Sequence, residues 1–259
     1  MAEAAHGVNL RVDLSGRTAL VTGAASGIGY GIARVLRQSG ARLLVNDLDP
    51  ERTGQAAQEL DGEPFPGDIT AVAFLQRVQG EPVDILVNNA GFQHVAALES
   101  FPPEVFRRML EVMLVAPFLL CQAVTPGMKA RRFGRIINIA SVHAKIASPH
   151  KSGYVAAKHG LLGLTRVIAL ETAPYGITCN AICPGFVDTP LVQKQLPDLA
   201  KLHNLPVEEV LPQVILRPIP LKRLLTPQEV GWLALFLCSD AASAITAQGY
   251  TLDGGFSQI

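Results

Sequence analysis

The sequence predicts an α/β protein built around one doubly wound parallel sheet, and three observations lead to this fold class. Short apolar runs alternate with longer amphipathic runs along the 259 residues, a pattern typical of βαβ units. A glycine-rich turn follows the first apolar run, where a strand should pass into a helix. The length suits one undivided α/β core. We therefore expect residues 1–259 to form a single domain.

The individual elements follow from the period of the apolar residues. Nearly continuous apolar runs suit strands covered on both faces, and they lie at Thr18–Thr22, Leu43–Asn46, Ile85–Asn88, Ile136–Ile139, Thr178–Ile182 and Tyr250–Leu252. Helical spacing is found at Gly27–Ser39, Glu51–Leu60, Ala71–Gln79, Pro103–Arg131, Tyr154–Glu171 and Pro227–Cys238. Pro117 and Pro126 predict a bend or break in the longest helix. From Thr189 to Leu225 prolines accumulate and the period weakens, which favours a helical lid over a substrate site.

Composition argues against several classes of protein. The 22 Lys and Arg residues balance the 22 Asp and Glu residues, and no basic block indicates a nucleic-acid partner. No apolar run approaches the roughly 20 residues of a membrane span. Met1–Asp13 has neither the basic nor the apolar region of a signal peptide, so we expect a short tail and a cytoplasmic protein.

The four cysteines match no zinc spacing and lie in apolar stretches, which predicts buried reduced thiols and no metal. They are Cys121, Cys179, Cys183 and Cys238.

The segment Thr22–Gly29 directly follows the first predicted strand. Its glycines permit a sharp turn and close backbone approach to a pyrophosphate, and the next helix directs its positive dipole end there. This context predicts a Rossmann-type dinucleotide site rather than a purely structural turn. Asp47 closes the second strand, where a carboxylate accepts hydrogen bonds from the adenosine ribose and repels a 2′-phosphate. No arginine flanks Asp47, so we expect NAD rather than NADP.

Two further acidic residues near this end have competing interpretations. Asp49 is better placed than Asp47 to be the N-cap of the helix that begins near Pro50. Asp68 follows Pro66-Gly67 and could cap the following helix or reach the adenine. Both roles of Asp68 are open at this point.

Tyr154 and Lys158 are four residues apart and therefore share one face of a helix. A free tyrosine has a pKa of about 10 and is a poor base near neutrality, but a neighbouring cation lowers that pKa and makes proton transfer feasible. The Tyr-x-x-x-Lys spacing alone is common in helices. Ser141 strengthens the hypothesis because it lies just past a predicted strand, at the sheet edge where ligands bind. Its hydroxyl could hold a substrate oxygen.

These segments, in this order, resemble the motif set of the short-chain dehydrogenase/reductase family. The resemblance extends from about Leu14 to Phe256 and includes Asn88–Gly91 and Pro184–Thr189. It implies a homotetramer in which Ser141, Tyr154 and Lys158 are catalytic. It further implies that the cofactor, NAD, is bound by Gly23, Ser26, Gly27, Ile28, Gly29, Asp47, Asp68, Ile69, Asn89, Ala90, Gly91, Tyr154, Lys158, Pro184, Gly185, Val187 and Thr189.

Four polar residues around the predicted crevice could cradle one carboxylate, since a lysine supplies charge and neutral donors orient it. They are Gln93, His143, Lys151 and Gln195. Alternatively, Lys151 is a solvated loop lysine and His143 a loop histidine with satisfied hydrogen bonds. The surrounding strings resemble bacterial D-3-hydroxybutyrate dehydrogenases, in which the matching residues bind the substrate carboxylate. That resemblance implies (R)-3-hydroxybutyrate as substrate; the alternatives are another hydroxy acid, a sugar acid, a sterol, or a non-catalytic NAD-binding regulator.

Two residues depart from the pattern of these relatives. Many of the hydroxybutyrate dehydrogenases have a glycine where Asp47 stands. The family usually has an asparagine at Met113, where it helps to hold a water that passes protons to the lysine. A thioether is a weak acceptor and cannot donate. Either another group or a backbone carbonyl holds this water, or the proton relay is impaired.

Overall fold

The computed structural model describes residues 12–258 and contains one parallel sheet of seven strands in the order β3-β2-β1-β4-β5-β6-β7. Its strands are β1 (Thr18–Val21), β2 (Arg42–Val45), β3 (Glu63–Pro64), β4 (Ile85–Asn88), β5 (Gly134–Ile139), β6 (Ile177–Pro184) and β7 (Gly249–Leu252). The strand order changes direction between β1 and β4, where open α/β sheets form their ligand crevice. The predicted doubly wound fold is confirmed. Apart from its last two residues, the expected tail Met1–Asp13 lies outside the described residues.

Helices cover both faces of the sheet. They are α1 (Gly27–Gln38), α2 (Pro50–Glu59), α3 (Val72–Gln79), α4 (Pro103–Leu110), α5 (Ala116–Arg131), α6 (Ser152–Thr172), α7 (Pro190–His203), α8 (Val207–Val210) and α9 (Pro227–Cys238). One apolar cluster joins α1, α2 and α9 to the sheet, and a second joins α3, α5 and α6 to the opposite face. Within β4, Ile85 and Val87 belong to the first cluster and Leu86 to the second. Because strand side chains alternate between faces, a continuous apolar run serves both clusters.

The long helix predicted over residues 103–131 is interrupted once. A π turn at Glu111–Val115 separates α4 from α5, and Pro117 is the second residue after it. Pro126, by contrast, lies inside α5. By length and composition alone the stretch Pro103–Arg131 could cross a membrane. Here its apolar side chains, among them Leu120 and Met128, pack into the core beneath the sheet.

Two elements differ from the sequence-based expectations. The edge strand β3 was not predicted because both of its residues are exposed and one is a proline. The region of weak periodicity after Thr189 contains a regular 14-residue helix, α7, and its role as a substrate lid stays a prediction. This lid has its own apolar cluster, in which Val192, Ile215 and Ile219 pack with surrounding lid residues and with Phe256 near the C-terminus. The lid thus has a small core separate from those of the sheet.

Candidate active site

A cleft of about 330 Å³ opens at the carboxyl edge of the sheet. Five strands each supply it with a residue at or just beyond the strand end: Gly23, Asp47, Asn89, Ser141 and Pro184. The lid closes one side, since Thr189, Val192 and Gln195 also line the cleft. The topology therefore gathers residues from distant parts of the chain into one site.

The glycine-rich turn forms one end of this cleft and has the shape that a dinucleotide requires. Gly23 and Gly27 have φ values of +63° and +57°, a region that side chains disfavour. A Cβ atom at Gly29 would lie 2.3 Å from the Gly23 carbonyl oxygen. The Asn89 side-chain amide donates to the carbonyls of Thr22 and Gly23, at 2.9 and 3.1 Å. Asn89 thus holds the turn through hydrogen bonds, and the side of the turn that faces the cleft is open. The residues of the turn therefore fit a pyrophosphate.

Replacing Gly29 by alanine should disturb this end of the cleft. The new methyl group would overlap the Gly23 carbonyl, and an overpacked site of this kind costs about 1–3 kcal/mol of stability. We expect a lower melting temperature and about tenfold weaker binding of NADH, measured by fluorescence titration. Gly163→Ala is the matched control, because no atom lies within 4 Å of a Cβ there. Unchanged melting and binding in Gly29→Ala would contradict the steric argument.

The adenosine end contains a carboxylate and an arginine. Asp47 Oδ2 accepts from the backbone N–H of Ala25 at 3.3 Å. Asp49 caps α2 by accepting from the N–H groups of Glu51 and Arg52, which confirms that the N-cap role belongs to Asp49. Arg52 lines the same cleft as Asp47, five residues farther along the chain. An arginine thus lies on the cleft wall although none flanks Asp47 in the sequence, and the choice of NAD over NADP stays a prediction.

Four of the predicted cofactor residues do not line the cleft: Gly29, Asp68, Ile69 and Ala90. Asp68 Oδ1 accepts from the Thr70 N–H and hydroxyl, and its other oxygen forms an ion pair with Arg108 at 2.8 Å. The N-cap of α3 is Ala71, so the capping role for Asp68 is wrong. Its role at the adenine stays a prediction. Ala90 donates its N–H to the Thr22 hydroxyl and so supports the turn from behind.

Ser141, Tyr154 and Lys158 meet at the other end of the cleft. Ser141 is buried, and its hydroxyl accepts the N–H of His143 at 3.1 Å. Tyr154 and Lys158 lie in the first turns of α6, with the Lys158 Nζ 5.6 Å from the centre of the Tyr154 ring. Lys158 Nζ donates to the Ile139 carbonyl at 2.7 Å. The three side chains are close enough to act on one substrate hydroxyl.

Burial controls the acidity of this group. It raises the pKa of Tyr154, and a hydrogen bond with the Ser141 hydroxyl lowers that pKa by less. Burial also lowers the pKa of Lys158 to about 8. The Tyr-x-x-x-Lys spacing predicts a lowered tyrosine pKa, and in this structure burial shifts it in the opposite direction. The Lys158 ammonium is bonded to a carbonyl rather than to the phenol, so its charge does not outweigh desolvation.

The four predicted carboxylate ligands all line the cleft. Gln195 on the lid donates to Gln93 Oε1 at 3.2 Å. Within residues 12–258, Gln93 Nε2 and His143 Nδ1 are buried nitrogen atoms with no hydrogen-bond partner. Burial lowers the pKa of Lys151. Lys151 is therefore no fully solvated lysine, and the ring of His143 is not fully satisfied, so the structure disfavours both alternative interpretations.

The ring of His143 should make stability depend on pH. Burial, and secondarily the charge of Lys151, lower the pKa of His143 to about 4, below the roughly 6.5 of an unfolded histidine. Between these values the unfolded chain binds the extra proton, so the free energy of unfolding falls as the pH drops from about 6.5 to 4, by at most about 3 kcal/mol. Denaturant titrations should show a smaller pH slope for His143→Gln. Equal slopes in both proteins would contradict this.

Met113 lies in the π turn and is buried against the cleft. A Cβ atom at Gly91 would lie 2.9 Å from its sulfur, and it packs in one apolar cluster with Ala157 and Tyr154. The Ala116 N–H donates to the Glu111 carbonyl, five residues back. The next residue, Pro117, has no N–H to donate. The carbonyl in this turn that would accept a hydrogen bond from an N–H at position 117 therefore has no such backbone donor.

Sequence reasoning missed several cleft residues. Phe92 and Phe186 line the cleft and directly follow the motif glycines Gly91 and Gly185, so their position beside these motifs could have identified them. Met113 was noticed only as a departure from a pattern, although it too forms part of the wall. Val192 offered no such signal, because its position depends on how the lid folds over the cleft.

Comparison with known proteins agrees with this geometry. The family model described as enoyl-(acyl carrier protein) reductase matches residues 23–257. The uncharacterized oxidoreductase YxjF of Bacillus subtilis is 49% identical over 253 residues, covering 93% of this chain and 98% of that protein. D-beta-hydroxybutyrate dehydrogenase of Cupriavidus necator is 45% identical over 254 residues, covering 94% and 98%. Full-length similarity at this level shows common family membership.

A solved structure supports the same conclusion for the fold. The crystal structure of an actinorhodin polyketide ketoreductase with NADPH superposes with a TM-score of 0.90 at 33% identity, covering 94% of this chain and 98% of that one. Its nucleotide agrees with the nucleotide-binding shape of the cleft described above.

Proposed function

The chain belongs to the short-chain dehydrogenase/reductase family, and from this premise we propose that it oxidises (R)-3-hydroxybutyrate to acetoacetate with NAD and catalyses the reverse reduction. Family membership makes it an oxidoreductase with a nucleotide cofactor. The observation that carries the choice of substrate is that Gln93, His143 and Lys151 line the same cleft. A carboxylate there would satisfy two buried nitrogens that lack partners among the described residues.

An anion bound at this end would provide hydrogen-bond partners for buried nitrogen atoms that lack them. A buried donor left without a partner costs about 1–3 kcal/mol, and both Gln93 and His143 have such an atom. Lys151 would supply the positive charge, at a site where burial already lowers its pKa. Gln195 brings the lid to the same point through its bond to Gln93. Binding of the acid would therefore draw the lid and the cleft floor together.

The reaction itself would proceed at the substrate C3 hydroxyl. A bound nicotinamide cofactor would supply the hydride transfer in either direction. Tyr154 takes the hydroxyl proton during oxidation, and the Ser141 hydroxyl holds the oxygen as it becomes a carbonyl. Lys158 favours the ionised tyrosine once its ammonium approaches the phenol more closely than in this structure. The carboxylate ligands fix the acid so that C3 faces the cofactor.

We infer that the proton path beyond Lys158 uses the backbone of the π turn instead of the side chain at position 113. The Met113 sulfur cannot donate and accepts weakly, and this side chain packs in an apolar cluster. The absent N–H of Pro117 leaves a carbonyl of this turn available to a water. Of the two explanations considered for Met113, this favours an intact relay.

The walls of the cleft favour a short acid over a sugar acid. Phe92, Met113, Phe186 and Val192 line it with apolar surface. A sugar acid would bring several additional hydroxyl groups against these side chains, and burying a hydroxyl without a partner is unfavourable. A substrate with one hydroxyl and a methyl group matches the lining better.

We further propose that the protein is a homotetramer in solution. Phe118 on α5 and Val167 and Leu170 on α6 are apolar and exposed on neighbouring helices. Because apolar surface of this kind favours association, light scattering coupled to size exclusion should give four times the mass of the 27.6 kDa chain. A mass of one chain would contradict the proposal.

The experiment that tests the substrate is a steady-state assay with NAD, followed at the absorbance of NADH. The panel contains (R)- and (S)-3-hydroxybutyrate, gluconate, lactate and a secondary alcohol without a carboxylate. We expect kcat/KM to be highest for (R)-3-hydroxybutyrate. A higher value for gluconate would identify a sugar-acid dehydrogenase, and a higher value for the alcohol would remove the carboxylate from the proposal.

A further inference from the structure

A chain of buried hydrogen bonds connects two strands of the sheet with α6. The Asn88 amide on β4 donates to Asn138 Oδ1 on β5 at 2.8 Å, and the Asn138 amide donates to the Thr165 hydroxyl on α6 at 2.9 Å. The Thr165 hydroxyl donates in turn to the Leu161 carbonyl at 2.7 Å. Asn138 and Thr165 are fully buried. Every bond in the chain is donated in the same direction, from the sheet into the helix.

These polar side chains lie within an apolar cluster. The nearest other acceptors of the two amides are the sulfur atoms of Cys121 and Cys179, at 3.6 and 3.7 Å, and sulfur accepts only weakly. Burying an amide among apolar side chains is unfavourable unless hydrogen bonds compensate. A bond between Asn138 and Thr165 therefore favours one placement of the helix on the sheet, as buried polar networks commonly do. Neither side chain takes part in the proposed reaction.

The bond between Asn138 and Thr165 lies beside the bond that holds Lys158. Asn138 and Ile139 are consecutive in β5, and Lys158 Nζ donates to the Ile139 carbonyl at 2.7 Å. Lys158 and Thr165 are seven residues apart in α6, which is about two turns, so they share one face of the helix. Side chains of α6 thus bond to two consecutive residues of β5. Together the two bonds fix both the rotation of α6 and its position along the strand.

We propose that Thr165, held by Asn138, is a positioning residue that sets the place of α6 along β5 and so keeps the Lys158 ammonium at the Ile139 carbonyl. This inference rests on the proposed function, in which Lys158 acts through Tyr154. A misplacement of about 1 Å far from the reacting atoms can cost about a hundredfold in rate. Loss of the Thr165 hydroxyl should therefore lower kcat, although this side chain does not line the cleft.

The test compares Thr165→Val, which removes the hydroxyl and keeps the shape, with Thr165→Ser, which keeps the hydroxyl. We expect kcat to fall about tenfold in Thr165→Val and to stay within about threefold of wild type in Thr165→Ser. KM for the acid should change much less, because none of the carboxylate ligands lies within α6. Asn138→Ala should lower kcat as Thr165→Val does, and the double variant should be little worse than either, because both remove the same bond.

Thr172→Val is the matched control for the loss of a buried hydroxyl. Thr172 is also buried in α6 and donates to the carbonyl four residues back, that of Ile168, at 2.7 Å. Among the described residues its hydroxyl has no partner on a strand. Its kcat should match wild type. A kcat of Thr165→Val close to that of Thr172→Val overturns the proposal, and so does a Thr165→Ser enzyme as slow as Thr165→Val.

Hydrogen exchange measured by mass spectrometry tests the positioning without any substrate. Exchange in the first turns of α6, which contain Tyr154 and Lys158, should be faster in Thr165→Val than in Thr172→Val. Equal exchange in the two variants overturns the proposal. Should Thr165→Val fail to fold, Thr165→Ala against Thr165→Ser makes the same comparison. Rates are measured with the panel substrate that reacts fastest, so a wrong substrate leaves the outcome unaffected. Absence of all turnover would remove the proposed function, while exchange would still decide on the positioning.

Discussion

Replacing Tyr154 by phenylalanine should lower kcat/KM for (R)-3-hydroxybutyrate by about a thousandfold, the largest effect that we expect of any single substitution. The change removes one oxygen from a side chain that lines the cleft beside Ser141 and Lys158. General acid–base catalysis contributes about 10²–10⁴ in rate, and Tyr154 is the one tyrosine among the described residues that line the cleft. The measurement is NADH formation over a range of acid concentrations.

The loss must be separated from damage to the fold or the cofactor site. Tyr154 packs with Met113 and Ala157, and phenylalanine keeps that contact, so the melting temperature and NADH binding should stay close to wild type. Tyr175→Phe removes the same oxygen from an exposed tyrosine remote from the cleft and should leave the rate unchanged. A Tyr154→Phe enzyme with more than a tenth of wild-type activity would remove the tyrosine from its role as base.

The second large effect should follow from Lys151→Met. This change keeps the length of the side chain and removes its charge, and a hydrogen bond to a charged group contributes about 1.5–3 kcal/mol. We expect KM for (R)-3-hydroxybutyrate to rise about a hundredfold with a much smaller change in kcat, because the lysine binds the carboxylate and not the reacting carbon. Initial rates with saturating NAD measure both constants.

The uncharged amide of the same acid makes this test specific. Wild-type enzyme should prefer the acid strongly, and Lys151→Met should lose most of that preference because only the acid has a charge for the lysine to bind. Lys194→Met is the control, since Lys194 is exposed on α7 and does not line the cleft. An unchanged ratio of kcat/KM between acid and amide in Lys151→Met would show that the carboxylate is bound elsewhere.

The parts of the fold that depend on local sequence were predictable. The bounds of β4 and α9 are those expected from the apolar pattern, because a buried strand and a capped helix are encoded by the residues within them. The glycine-rich turn was identified for the same reason. The edge strand β3 was missed, since its pairing with β2 is set by the neighbouring strand and not by its own two residues.

The parts of the site that depend on three-dimensional surroundings were not predictable. Arg52 was not predicted as a cleft residue because its position on the cleft wall results from the path of the chain into α2. The raised pKa of Tyr154 escaped notice because spacing along a helix reveals the neighbouring cation but not the depth of burial. Residue types and order therefore identified the chemistry, whereas the burial and charges of the cleft residues required the structure.

The assembly of the cleft from distant segments has a consequence for how the chain reaches its native state. Thr22 and Asn89 are bonded across 67 positions, and Gln93 and Gln195 across 102. Contacts so far apart in sequence form slowly. A chain that has not yet placed β6 lacks the part of the cleft wall that Pro184, Gly185 and Val187 form, so its site is incomplete. The complete cleft thus depends on contacts that form late in folding, after local helical structure.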